Sequence, residues 1–228
     1  MSAGDVPPGA QPSTRRYAPA TMQRRRVLAL SAFAWGHAGA GAADAPGGAV
    51  RTRVDTEAGA FVVEVDSQVA PLTVAHYLAH VDRKLLDGGA VYRIVTLANQ
   101  APETRHKIEV VQWGMNRPDG QAPALAPIVH ETTRQSGLRH LDGTVSMARA
   151  QPGSATAEYF VCVGDQPELD FGGGRNPDGL GFAAFGRVVE GMDVVRALHA
   201  RGEADQYLAQ PIRVRSVRRV SRDGRPGS

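Results

Sequence analysis

The chain has 228 residues, 42% of them hydrophobic, with 26 glycines and 15 prolines; 26 basic against 23 acidic side chains leave a formal charge of +3. That length holds one domain of about 150 to 200 residues and an appendage, and the glycine and proline content fits a loop-rich β protein and excludes a helical bundle. A single cysteine, Cys162, excludes a disulfide framework and a cysteine-based metal site, and within EYFVCV it reads as a small core residue.

Residues 1–21 are rich in proline, serine and alanine and show no periodic apolar pattern. From Met22, MQRRRVLALSAFAWGHAGAGAADAP joins three arginines, an apolar run from Val27 to Trp35, and small residues at Ala38, Ala40 and Ala42. These are the three parts of an export signal, and the run is too short to span a bilayer as a mature helix. Arg24 and Arg25 followed by Arg26, Val27 and Leu28 also resemble the twin-arginine export pattern. Residues 1–42 are therefore read as an extension and export signal with a periplasmic destination; a disordered basic tail is the competing reading. Residues 43–49 read as a linker, 50–221 as the folded domain and 222–228 as a frayed tail.

VRTRVDTEAGAFVVEVD alternates on both sides of Glu57-Ala58-Gly59 and predicts a β-hairpin with Gly59 at the permissive turn position. In APLTVAHYLAHVDRK, Pro71 opens a helix whose Val74, Tyr77, Leu78 and Val81 share one face. Asp87-Gly88-Gly89 turns the chain into AVYRIV, a strand in which strict alternation sets Val91, Arg93 and Val95 on one face and Tyr92 and Ile94 on the core face. A polar loop that could open or close leads to EVVQW, where Val110 and Gln112 share a face opposite Val111. Two strands that each mix apolar residues with one polar group on a face describe a shallow, half-apolar groove. Taken alone, they leave open that Arg93 lies on an ordinary solvated face.

A proline- and glycine-rich loop follows Gly114; then LDGTVSMARA is a turn and strand, SATAEYFVCVG a loop and strand, and PELD a tight turn. FGGGRNPDGLG reads as a long flexible loop before the strand FAAFGRVVEG, Asp193 to Leu198 as a short second helix, and IRVRSVRRV as the last strand. The basic run in that strand alternates with Val and Ser, without the motif or aromatics of a nucleic-acid site. Seven or eight short strands with two helices indicate a mainly β fold, a closed or nearly closed antiparallel barrel with helices at its ends.

The colinear series Ala70-Pro71, Thr73-Val74, Tyr92-Arg93, Gln112 with Gly114, GTVSMAR, EYFVCVG and FAAFGRVVEG resembles the cyclophilin family of peptidyl-prolyl isomerases from about Val50 to Val220. The resemblance implies a closed eight-stranded barrel capped by two helices, an isomerase of X-Pro peptide bonds, and proline-containing segments of unfolded chains as partners. It implies no cofactor, metal, nucleic acid or stable membrane span, and a monomer is expected. By resemblance Arg93 is the catalytic arginine and Gln112 its partner in the groove. Val110, Ala148, Phe160 and Leu169 shape the substrate pocket, with Phe160 at the floor of the proline site, and Arg149, Glu158 and Phe182 occupy further substrate-binding positions. Arg149 stands where Asn is common, Glu158 where Gln, Glu168 where an aromatic and Phe182 where His; TLANQAPETRHK is an insertion between Arg93 and Val110, and Trp113 replaces a Gly. These departures sustain an alternative, a cyclophilin-fold module that holds proline segments without turnover.

Other local signals lack their context. Asp170-Phe171-Gly172 has no kinase loops beside it, and FGGGRNPDGLG lacks the Lys-Ser/Thr of a phosphate loop. His130 and His140 read as ordinary loop or core histidines and Ser146 as a strand residue.

Overall fold

The computed structural model describes residues 48–115 and 123–221. The export signal expected at Arg24 to Ala42, most of the expected linker, part of the loop after Gly114 and residues 222–228, read from the sequence as a tail, lie outside the described residues.

The strands are β1 (Val50–Thr56), β2 (Gly59–Val65), β3 (Ala90–Val95), β4 (Val110–Gly114), β5 (Thr144–Met147), β6 (Glu158–Cys162), β7 (Ala183–Glu190) and β8 (Tyr207–Val220). They close into an antiparallel barrel in the order β1-β2-β7-β5-β6-β4-β3-β8. Closure leaves no open sheet edge, which is how an all-antiparallel sheet of this size avoids unpaired backbone donors. The hairpin forms as its turn chemistry predicts: Thr56 pairs with Gly59, and Gly59 adopts φ 127°, where a side chain would be strained.

Helix α1 (Pro71–Asp82) starts on Pro71 and buries Val74, Tyr77 and Val81. Its first turn is held by a residue far along the chain. The Glu131 carboxylate accepts the Leu72 N–H (3.2 Å), the Thr73 N–H (2.8 Å) and the Thr73 hydroxyl (2.6 Å), which satisfies donors a helix start leaves open. Helix α3 (Met192–His199) is the second helix read from the sequence, one residue longer at each end. A further single-turn helix, α2 (Thr133–Ser136), was not legible. Four residues carry no period; its signature is the capping pair Thr132 and Gln135, whose side-chain oxygen accepts the Thr132 N–H at 2.9 Å, with Gly137 left-handed at the end.

The barrel interior is aromatic. Trp113 meets Phe61 edge-on at 6.0 Å, and Tyr159 lies 5.1 Å from Tyr77 and 5.8 Å from Phe185. The face assignment read for β4 holds, and β6 follows the same period of two: Val111, Trp113, Tyr159 and Val161 are inside, whereas Val110, Phe160 and Cys162 form a second cluster on the outer surface with Val95, Ile108 and Leu169. In β3 strict alternation fails. The register shifts between Val91 and Arg93, so Val91 opposes Trp113, Arg93 opposes Gln112, and Tyr92 is the extra residue of a bulge. Val91 therefore joins Ile94 inside the barrel, and Tyr92 leaves the core to lie half-buried beside Arg93, contrary to the alternation reading.

Candidate active site

The outer faces of β3, β4 and β6, closed off by the strand-end residues 148–156 and the loop 168–182, surround an open cavity of about 530 Å³. Apolar Val110, Ala148, Phe160, Leu169 and Phe182 and polar Arg93, Gln112, Arg149 and Glu158 all line it, so each position named from the sequence comes to one place.

At one end the bulge presents Arg93. Its Nη1 donates to Gln112 Oε1 at 3.0 Å, and its Nη2 (2.5 Å) and Nε (3.2 Å) donate to Gln206 Oε1. The two glutamines fix the plane of the guanidinium through neutral acceptors, and three of its five N–H donors are used. The Tyr207 ring supports it from one side, with Arg93 Cζ 5.7 Å from the ring centroid and Tyr92 stacked on Tyr207 at 6.3 Å. Gln112 is held in turn, since its Nε2 donates to the Tyr92 hydroxyl. Burial, and then the neighbouring Glu158 carboxylate, pushes the Tyr92 phenol well above its usual range, so it stays protonated.

At the other end Phe160 is 4% exposed and forms the floor, with Phe182 edge-on at 5.4 Å. Behind it lies a buried relay. The His140 ring stacks on Phe160 at 5.9 Å, its Nδ1 is 2.7 Å from Asp170 Oδ1 and its Nε2 is 3.0 Å from Ser146 Oγ. The order Asp-His-Ser is that of a hydrolase triad, yet Ser146 is 0% exposed. No substrate carbonyl reaches that hydroxyl, and the relay is a strut that orients the floor. Burial alone would raise the Asp170 carboxyl, but hydrogen bonds from His140 outweigh it and hold it below the usual range. Cys162 sits in the same wall, its thiol pushed up by burial, as a core residue and not a nucleophile.

Arg149 does not project freely into the cavity. It is fixed by two bonds to the Asp178 carboxylate (2.8 and 2.9 Å) and two to the Gly181 carbonyl, and Asp178 is held down to about 2 by the Arg149 bonds. Both loops read from the sequence as mobile are tied. In the insertion, Asn99 accepts the Thr96 N–H and donates to the Ile94 carbonyl, while buried Gln100 bridges Thr96 and Ile108. In FGGGRNPDGLG, Gly172 donates to the Gly179 carbonyl at 2.7 Å and Gly174 to Glu168 Oε2 at 2.8 Å. Side-chain amides and carboxylates thus replace the regular ladder, and composition does not announce that.

Among the lining or supporting residues that were missed are Ile108, Arg175, Gln206 and Tyr207. Ile108 shares the period-two face of Val110 and Gln112, a signal present in the sequence. Gln206 and Tyr207 were hidden because β8 begins five residues before Ile212, across Pro211 and a stretch without alternation. Among the described residues, no group of His, Cys, Asp and Glu is placed to hold a metal ion and no helix is long and apolar enough to cross a membrane.

With the geometry in place, comparison with known proteins is specific. The family model described as Cyclophilin type peptidyl-prolyl cis-trans isomerase/CLD matches residues 50–219. The peptidyl-prolyl cis-trans isomerase cyp18 of Streptomyces antibioticus is 36% identical over 173 residues, 72% of this chain and 95% of that protein. Peptidyl-prolyl cis-trans isomerase B of Escherichia coli is 32% identical over 142 residues, 61% of this chain and 78% of the relative. Among solved structures, a cyclophilin type peptidyl-prolyl cis-trans isomerase of Cryptosporidium parvum superposes with a TM-score of 0.60 at 14% identity, covering 76% of this chain and 98% of that one, a likeness of fold.

Proposed function

The chain belongs to the cyclophilin-type peptidyl-prolyl cis-trans isomerase family and catalyses rotation about X-Pro bonds; from that premise we propose that Arg93 is the donor that drives the rotation and that Phe160 anchors the proline. The peptide bond resists rotation because the nitrogen lone pair is delocalised into the carbonyl, a barrier of about 18 to 20 kcal/mol. In the twisted transition state the lone pair is localised on the proline nitrogen, which becomes an acceptor that the planar ground state lacks. A donor aimed there stabilises the transition state selectively. A guanidinium is suited to this because it is permanently charged and holds its donors in a rigid fork.

The observation that carries the assignment is the clamp of Arg93 between Gln112 and Gln206, at one end of a cavity whose other end is the apolar floor of Phe160, Leu169 and Val110. The floor holds the ring by burial while the preceding residue turns. A million-fold acceleration requires about 8 kcal/mol of differential stabilisation. No bond is made or broken, so the reaction itself asks for no nucleophile or metal. Family membership favours turnover over the binding-only alternative. A protease-coupled isomerisation assay on short X-Pro peptides tests the reading; peptide binding with an unaccelerated exchange rate would contradict it.

The pattern from Arg24 to Ala42 supports export of the chain to the periplasm; we propose that it acts there, as a monomer, on proline-containing segments of incompletely folded proteins. N-terminal sequencing of protein from its native cell should find cleavage between Ala38 and Ala43, and an intact cytoplasmic N-terminus would refute export. Sedimentation of the processed chain checks the monomer.

A further inference from the structure

Two loops meet at one edge of the cavity. His106 Nδ1 of the insertion is 2.7 Å from Glu168 Oε2, and the His106 ring packs so closely on Gly174 that a β-carbon there would collide with it. Arg175 follows and lines the cavity, half-buried. Its Nη1 donates to Gln100 Oε1 (3.1 Å) and to the His106 carbonyl (3.0 Å); among the described residues its Nε and Nη2 make no hydrogen bond.

The charges around the cavity are not balanced in pairs. Arg149 has the Asp178 carboxylate. Arg93 and Arg175 have only neutral acceptors, two glutamine side chains for the first and a glutamine and a carbonyl for the second. Glu158 is the one acidic residue among the described residues that line the cavity, and it lies against Tyr92. Burial first, and then the field of Arg93, lower the Arg175 pKa, so the two cations sense one another across the site. A half-buried guanidinium with open donors and no counter-charge is a receptor for a carboxylate, which it takes in charge-assisted, often paired hydrogen bonds.

We infer that Arg175 makes this isomerase selective for X-Pro segments in which a residue directly next to the proline is aspartate or glutamate. The inference rests on the isomerase reading of the cavity. A purely structural part for Arg175, clamping the two loops, would affect acidic and neutral peptides alike.

The test is a protease-free exchange measurement by NMR on two matched peptide pairs, Ala-Glu-Pro-Phe with Ala-Gln-Pro-Phe and Ala-Ala-Pro-Glu with Ala-Ala-Pro-Gln. In at least one pair the wild-type protein should show a kcat/KM about fivefold higher for the glutamate member, the scale of one partly screened ion pair. Added salt should shrink that ratio, Arg175→Gln should bring it close to one, and Arg175→Lys should retain part of it. Equal kcat/KM within both pairs overturns the inference, as does a preference that survives in Arg175→Gln. A wild-type ratio of one overturns the inference even if Arg175→Gln is unstable, and in that case the ratio in Arg175→Lys takes its place: a reduced ratio supports the inference and an unchanged one overturns it. Absence of catalysis on all the peptides is a different result, which removes the isomerase reading itself.

Discussion

Strands β3, β4 and β6 each build two regions at once, the barrel interior and the outer cavity, and the two are made on different rules. Inside, Trp113, Tyr159, Val111 and Ile94 interdigitate, and what matters is volume. Outside, Arg93, Gln112, Tyr92 and Gln206 form a chain in which each polar side chain is held by the next. One residue of bulge in β3 separates the two regimes by turning Tyr92 and Arg93 out together. The difference teaches that interior substitutions act on function through stability, whereas exterior ones act on rate with the fold left standing.

Perturbations of decreasing size sharpen that contrast. Trp113→Ala removes a fully buried ring and should cost about 3 to 5 kcal/mol of stability in denaturant unfolding, with activity falling only as the folded fraction falls. Phe160→Ala sits on the boundary: it empties the cavity floor and leaves His140 without its stacking partner. Stability should drop by about 3 kcal/mol and KM should rise, since the proline loses its anchor. Gln206→Ala removes two of the three bonds that orient Arg93. It should lower kcat about tenfold, or roughly 1.4 kcal/mol, with the melting temperature little changed. A loss that tracks stability alone would assign Gln206 to the fold.

The smallest expected effect is a pH dependence. The Asp170 carboxyl has a folded-state pKa below its unfolded value because the His140 hydrogen bonds outweigh the opposing effect of burial, with Arg139 assisting. Its contribution to stability is therefore complete above the unfolded value of about 3.9 and is lost as pH falls through the lower folded value. Melting temperature should decline below about pH 4, and Asp170→Asn should be less stable at neutral pH but show a shallower decline. Parallel curves for the two proteins would place the acid sensitivity in other carboxylates, among which Glu64 and Asp87 are also held low by arginines.

The same contrast explains what was readable from sequence. Interior positions obey a period of two, so the faces of β4 and β6 were legible from EVVQW and EYFVCV, and turn chemistry placed Gly59. The bulge at Tyr92 was not legible, because the extra residue is defined by its opposite strand, as is usual for bulges. Gln206 and Tyr207 are more than a hundred residues from Arg93, outside any local pattern, and α2 is too short to have a period. The ties that hold the two loops are side-chain bonds from Asn99, Gln100 and Glu168, residue types that also suit an open loop. The basic run of β8 alternates only in part: a register shift between Val214 and Ser216 puts both Val214 and Val217 inside the barrel, and Arg218 and Arg219 are paired with Asp87 and Asp82.

The central claim is that Arg93 stabilises the twisted X-Pro bond from a clamp built outside the core. It is tested most directly by measuring kcat/KM of wild type and Arg93→Ala on one Ala-Pro peptide, with a thermal melt of each protein. The account predicts a fall of at least about tenfold with the melting temperature essentially unchanged, because Val91 and Ile94, not Arg93, carry the core side of β3. Wild-type kcat/KM in a folded Arg93→Ala protein would contradict it.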